Sequence, residues 1–330
     1  MAAVPVRKVA ALIVGLAVLI PLILLMFIGP ASRGAPHDVP IGLAGPAPAV
    51  AQATGMLEQG QPGAFEVHRY DDAAALQAAT ADREVYGGLA LGPDPVTVVA
   101  TGASPVVATT LTQLGARAGG PQTRVLDVAP PAESDPRGAG FGSMILPVFM
   151  AGAVLGIALT QLLRRVRLIA IALPVGAAVV GATSIGVAMA AGVLSGGFWA
   201  QWLAMSAGIF SIAAVVAGLV SLIGLAGMGV AALLFMLVGM PLSGISMPPE
   251  YLPWIWGEVG QWFPLGATAS ALRGAAFFAD GTFPGTGTGM AYAALAMWIV
   301  VGYLLLGLAV LKRRRLTADV LASRSEPAAA

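Results

Sequence analysis

Six runs of apolar residues, set apart by one long polar segment and several short breaks, organise this chain: Val9–Ile28, Met144–Leu163, Leu168–Val193, Leu203–Leu225, Met228–Met247 and Met290–Leu311. A helix rises ~1.5 Å per residue, so about 20 apolar residues cover a hydrocarbon layer of ~30 Å. The pattern predicts six membrane-spanning helices. For the first run the alternative is a cleaved signal peptide, but its 20 apolar residues exceed the ~7–15 of a signal core and favour an uncleaved anchor.

From Pro30 to about Gly142 short apolar stretches alternate with turn formers, and both histidines and 11 of the 16 acidic residues fall here. The spacing predicts strands over Val39–Ala44 and Phe65–Arg69 and a helix over Pro48–Gln59. Asp71-Asp72 offers an N-cap to an Ala-rich helix, Ala73–Asp82. Val85–Leu91 and Pro95–Ala100 read as paired strands around Gly92-Pro93-Asp94, Ser104 as the cap of a helix reaching Arg117, and Arg124–Val128 as the strand that closes the sheet. Pro130-Pro131-Ala132-Glu133-Ser134-Asp135-Pro136 is a stiff linker. The expected fold is an all-α polytopic membrane domain of six transmembrane helices with a small external α/β domain inserted between spans one and two. Its divisions are 1–29 (first span), 30–142 (α/β domain), 143–315 (five-span domain) and 316–330 (disordered tail).

Between the last two runs lies a segment that is apolar but too broken to span. Prolines 241, 248, 249, 253 and 264 interrupt it, and a proline removes a helix hydrogen bond and clashes with the preceding turn. Trp254, Trp256 and Trp262 suit a bilayer–water interface, where the ring is buried and the N–H hydrated. We expect a re-entrant or interfacial hairpin over 248–280. Pro248, Pro249, Glu250, Trp254, Trp256, Glu258, Trp262 and Arg273 are its candidate outer-gate or interface residues.

Composition agrees with the pattern: 58% of residues are hydrophobic, 10% are charged and the mean hydropathy is +0.86, against about 25% charged in soluble domains. Charge adds orientation. Arg7-Lys8 precede the first run, Arg164-Arg165-Val166-Arg167 separate the second and third, and Lys312-Arg313-Arg314-Arg315 follow the sixth. Threading six spans sets all three clusters on one side, the cytoplasmic side by the positive-inside rule. Both termini are then cytoplasmic, and the α/β domain and the hairpin face outward. A net charge of +1, with basic residues in short clusters beside apolar runs and not pooled on a soluble face, gives no nucleic-acid footprint.

Much chemistry is excluded. The chain has no cysteine, hence no disulfide and no thiolate site. Its only lysines, Lys8 and Lys312, follow no glycine-rich turn, so no phosphate-binding loop is formed. Gly285-Thr286-Gly287-Thr288-Gly289 follows no strand and reads as a plain loop. No cofactor or metal is expected: His37 and His68 lack ligand spacing. Glu250 and Glu258 are accompanied by no nucleophile or histidine and read as interface charges, not a catalytic pair. The apolar runs hold no ionisable residue, which disfavours ion-driven transport. Small residues, among them Gly152, Gly156, Gly218, Gly224, Gly227, Gly229, Gly239 and Ser243, predict close helix packing, and Pro174 a kink in the third span.

One N-terminal span, an external α/β module and five further spans, with Pro241-Leu-Ser-Gly, Met247-Pro-Pro-Glu-Tyr-Leu-Pro, Phe263-Pro-Leu-Gly-Ala and Leu272-Arg before the last, resemble the ABC-type-2 exporter permeases. Val39-Pro-Ile-Gly-Leu, Tyr70-Asp-Asp-Ala-Ala-Ala-Leu and Val85-Tyr-Gly-Gly-Leu make the YhgE/Pip-like membrane proteins, which carry a large external domain, the closest group. The resemblance implies a bacterial plasma-membrane permease that works as a homodimer. It would move a hydrophobic or amphipathic substrate such as a lipid or drug, powered by a separate ATPase contacted through Arg164, Arg165 and Arg167. The chain itself would not be an enzyme. It departs from such permeases in its short N-terminal segment and its four-residue basic loop, where a coupling helix is usual. The competing expectation is a non-transporting envelope protein whose external domain binds a partner or cell-wall component.

Overall fold

A computed structural model describes residues 6–120, 123–136, 138–163, 165–245, 247–253, 255–278 and 283–325. The chain is mostly helical, with one small sheet. Helix α1 (Val6–Arg33) leads into strand β1 (Val39–Ala44), helix α2 (Ala47–Gly60), β2 (Phe65–Tyr70), α3 (Ala73–Ala81), β3 (Gly87–Ala90), β4 (Val96–Val99), α4 (Pro105–Gly119) and β5 (Arg124–Asp127). The sheet order is β2-β1-β3-β4-β5. Only the β3–β4 pair is antiparallel, because Gly92-Pro93-Asp94 turns the chain directly back whereas each parallel neighbour needs a helical crossover.

The period of two sorts β1 between two cores. Val39, Ile41 and Leu43 pack with Val50 and Leu57 of α2 and Leu111 of α4, while Ala44 on the opposite face joins Leu76 of α3, Val85 and Val98. Gly42 lies against Leu76 and Tyr70 with no room for a Cβ. Asp72 accepts a hydrogen bond from the Ala75 N–H at 2.8 Å and Ser104 one from Val107 at 3.3 Å, so both expected caps form.

Nine further helices follow among the described residues: α5 (Ala139–Ser143), α6 (Ile145–Leu162), α7 (Val166–Ala190), α8 (Phe198–Ile223), α9 (Leu225–Ala232), α10 (Met240–Leu242), α11 (Trp256–Gln261), α12 (Pro264–Ala276) and α13 (Gly289–Ser325). A π-helical stretch, Leu233–Gly239, joins α9 to α10. Among the described residues five segments are long and apolar enough to cross a membrane: Ala139–Leu162, Val166–Ala190, Phe198–Ile223, Leu225–Leu242 and Gly289–Ala318. Helix α1 carries the first apolar run, Val9–Ile28. Helix α7 contains Pro174 within Val166–Ala190. Two local expectations are corrected. The turn between the fourth and fifth runs is not Leu225–Met228 but Gly224, whose φ of 67° lets the chain reverse within a single residue. Helix α13 runs past the basic cluster to Ser325, where a disordered tail was expected from 316.

Helix α8 is the axis. In its most apolar stretch 72% of residues are buried, against 28% in each of the other four spans. Glycines let its neighbours approach: a Cβ on Gly152 or Gly156 of α6 would meet Ile212 or the Ala213 carbonyl, and one on Gly302 of α13 would meet the Ala214 backbone. Two polar aromatic side chains bond across the bundle, where lipid offers no partner. Trp202 Nε1 donates to Ala178 O at 2.9 Å and Tyr303 Oη to Ala170 O at 2.6 Å.

Candidate functional site

The broken segment folds as a compact helical hairpin. A 3-10 turn at Pro249–Tyr251 precedes α11 and α12. Pro264 opens α12 at a position where its missing N–H removes no helix bond. Leu265, Ala267, Ala269, Ala271 and Leu272 of α12 are fully buried. Gly257 and Gly260 of α11 touch the Pro249 and Leu242 backbones, and Gly266 touches Gly260, so the hairpin closes through glycine contacts.

The α/β domain meets this hairpin directly. Tyr251 joins the core formed by α2, α4 and β1, and the His37 N–H donates to Glu250 O at 3.1 Å. Arg83, just past α3, enters from the other side. Its φ of 63° is left-handed, and the bend aims its guanidinium at α12, where it donates to Ser270 O (3.3 Å), Ser270 Oγ (3.4 Å) and Thr286 O (3.0 Å). Gly274 makes room for it, since a Cβ there would meet Thr286 and Arg83. Tyr86 Oη donates to Glu250 Oε2 at 2.9 Å, and Arg273 donates to Ile245 O at 2.6 Å.

These groups surround a cavity of about 160 Å³ lined by Arg83, Tyr86, Glu250, Gln261, Ser270 and Arg273. Burial raises the Glu250 carboxyl pKa above 4.5, although bonds from the backbone and Tyr86 and the nearby His37 pull the other way. Burial raises the Tyr86 phenol as well, and the Glu250 charge adds to the effect, so Tyr86 stays a hydrogen-bond donor. Desolvation lowers both guanidinium values from 12.5, leaving both cations protonated at neutral pH. Arg83 sits over the Phe278 ring at 5.3 Å and Arg273 over Phe141 at 5.1 Å, contacts that stabilise a cation without neutralising it.

Of the residues singled out from the sequence, Glu250 and Arg273 line this cavity together with Pro249. Pro248 is buried beside them, Trp256 is half-buried and Glu258 is exposed. Trp262 is exposed, and its carbonyl accepts a hydrogen bond from Trp298 Nε1 at 2.7 Å. Trp254 and Arg164 lie outside the described residues. Arg165 and Arg167 are exposed at the far end of the bundle, where Lys312 Nζ donates to Leu222 O at 3.2 Å and Leu163, Ile169, Gly224 and Arg313 share a cavity. Sequence reasoning missed Arg83, Tyr86 and Thr286. Arg83 looks like an ordinary charge between Asp82 and Glu84, and Thr286 belongs to the loop read as plain. In the fold that loop packs on α12, with Gly285 against Gly274 and Ala275.

A larger groove of about 410 Å³ lies on the α/β domain between α2 and α4, lined by Met56, Leu57, Phe65, Leu89, Leu114 and Arg117 among others. Among the described residues no group of three or more His, Cys, Asp or Glu side chains is placed to hold a metal. The chain matches no protein-family model, no curated protein and no solved structure.

Proposed function

We propose that the chain is the permease subunit of an ABC-type exporter. In this reading it has six spans, α1 being the first, with the α/β domain and the hairpin outside the cell and both termini in the cytoplasm of a bacterium. It works as a homodimer, and a separate ATPase docks at the basic end. The substrate is hydrophobic or amphipathic, a lipid or a drug. The observation that carries the reading is the junction itself: a proline-broken hairpin packed into the bundle through α12 and tied to the α/β domain by Arg83 and by the Tyr86–Glu250 bond. Such a hairpin can pass movement of the bundle to its outer surface. Pro248, Pro249, Glu250, Trp254, Trp256, Glu258, Trp262 and Arg273 form the outer gate. Gathering of Arg165, Arg167 and the Lys312–Arg315 cluster at the opposite end supports the orientation.

The deciding experiment isolates the chain from its native membrane and asks whether an ATPase co-purifies and is stimulated by hydrophobic substrates. No associated ATPase and no export in cells would sink the proposal. Pro248→Ala with Pro249→Ala should alter export while leaving insertion intact. The groove between α2 and α4 favours the second reading, an envelope protein that binds a partner or cell-wall component. Under it, deleting the bundle's ATPase contact changes nothing, and filling the groove with Leu114→Trp abolishes function.

A further inference from the structure

The junction cavity carries more positive charge than its walls neutralise. Two guanidinium groups face it, Arg83 from the α/β domain and Arg273 from α12, and among the described residues Glu250 is the one lining carboxylate that is not exposed. Glu84 lines the mouth but is exposed to solvent, where water screens it. Among the described residues only His68 and Glu66 form an ion pair within 4.0 Å, so neither arginine has a carboxylate at salt-bridge distance. With Glu250 ionised the inner set carries one net positive charge, and with Glu250 protonated it carries two. Both arginines are half-buried, and partly desolvated cations in this state are unfavourable unless a counter-charge reaches them.

Hydrogen bonding is unfinished in the same direction. A guanidinium offers five N–H donors. Arg83 engages Ser270 and Thr286, and Arg273 engages Ile245 alone. The space between them, about 160 Å³, equals about five water molecules at ~30 Å³ each. It is far below the ~300 Å³ at which pockets for whole small molecules begin. It suits one compact, multiply accepting anionic group with its remainder outside. Paired arginines in a fork geometry match the oxygens of phosphate and carboxylate.

We infer that this cavity is a binding site for a phosphate-type anionic group, held between Arg83 and Arg273 with Ser270 and Gln261 beside it and limited in affinity by Glu250. The group would be that of a lipid headgroup or of a free phosphate. Because Arg83 belongs to one domain and Arg273 to the other, the anion bridges them and locks the junction. A role in export rests on the permease reading, but binding does not, and it is measured at equilibrium without an ATPase.

The test uses the full chain in nanodiscs of phosphatidylcholine, titrated calorimetrically with inorganic phosphate and with glycerol 1-phosphate. Wild type should bind saturably. Arg83→Gln and Arg273→Gln should each weaken binding about tenfold or more, and Arg117→Gln, on the distant groove, should leave it unchanged. Glu250→Gln keeps an acceptor for Tyr86 and removes the opposing charge, so it should tighten binding about tenfold. A misfolded variant cannot gain affinity, which keeps the test decisive if an arginine variant fails to fold. Absence of saturable binding by wild type, or equal affinity in wild type, Arg83→Gln and Glu250→Gln, overturns the site. Nanodiscs doped with phosphatidic acid identify the source. If the doped lipid blocks phosphate binding, the site holds a lipid headgroup; if phosphate binds unhindered, it holds a free anion, and in both cases the site stands.

Discussion

The α/β domain and the helical bundle belong to one chain but are held by different rules. In the domain, strand residues alternate between two cores, and helices α3 and α4 start on side-chain caps from Asp72 and Ser104. In the bundle α6, α7 and α8 have no side-chain cap at all. Hydroxyls fold back onto their own helix in both regions, as Thr80 does to Leu76 O in the domain and Ser184 to Val180 O in the bundle. Glycines of α6 and α13 bring these helices close to α8, beside large interlocking side chains such as Phe149 and Phe235. Water drives large apolar groups together, whereas in an apolar solvent only tight contact and internal hydrogen bonding distinguish one neighbour from another.

Five substitutions test this contrast. The largest effect belongs to the domain core: Leu43→Ala empties a fully buried site and should cost about 2–5 kcal/mol, seen as a lowered midpoint in denaturant. The exposed Leu304 of α13 gives the reference, since its change to Ala should move the midpoint little. Next comes Gly302→Val, which forces a side chain against the Ala214 backbone and should cost about 1–3 kcal/mol. Gly307→Val, with open space around it, should stay within about 0.5 kcal/mol. Equal thermal stability of these two valine variants in detergent would show that glycine contacts do not hold α8 to α13. Asp72→Ala removes a cap and should cost about 1 kcal/mol, detectable as faster amide exchange in the first turn of α3.

The smallest effect is a pH dependence at the junction between the two regions. The folded Glu250 pKa is raised above 4.5, so Glu250's stabilising contribution is complete below that pH and is lost as pH climbs through the raised value. Wild type should therefore lose stability over that window relative to Glu250→Gln. The opposite slope would mean that the carboxylate is better satisfied in the fold than in water.

Where a local period or a local cap carried the signal, the sequence was informative. Val39–Ala44 matches β1 residue for residue, Asp72 and Ser104 cap the helices they precede, and Gly92-Pro93-Asp94 turns β3 into β4. The five long apolar runs coincide with helices to within a few residues at most ends. The site was only half legible. Glu250 and Arg273 stood out as rare charges in an apolar segment, but their partner Arg83 is separated from Ser270 by 187 positions. No spacing rule reports a contact over that distance. Tyr86 lies in a stretch read only as strand, and nothing local marks its hydroxyl as the partner of Glu250.

Helix α8 also imposes an order on biogenesis. Its flanks are covered by α6 and α7, which precede it, and by α12 and α13, which follow it. While the ribosome is still making the later segments, Gly218 and the Ala214 backbone lack their mates, Gly302 and Leu305 of α13. The most enclosed helix of the bundle is thus covered only after α13 has been made and threaded.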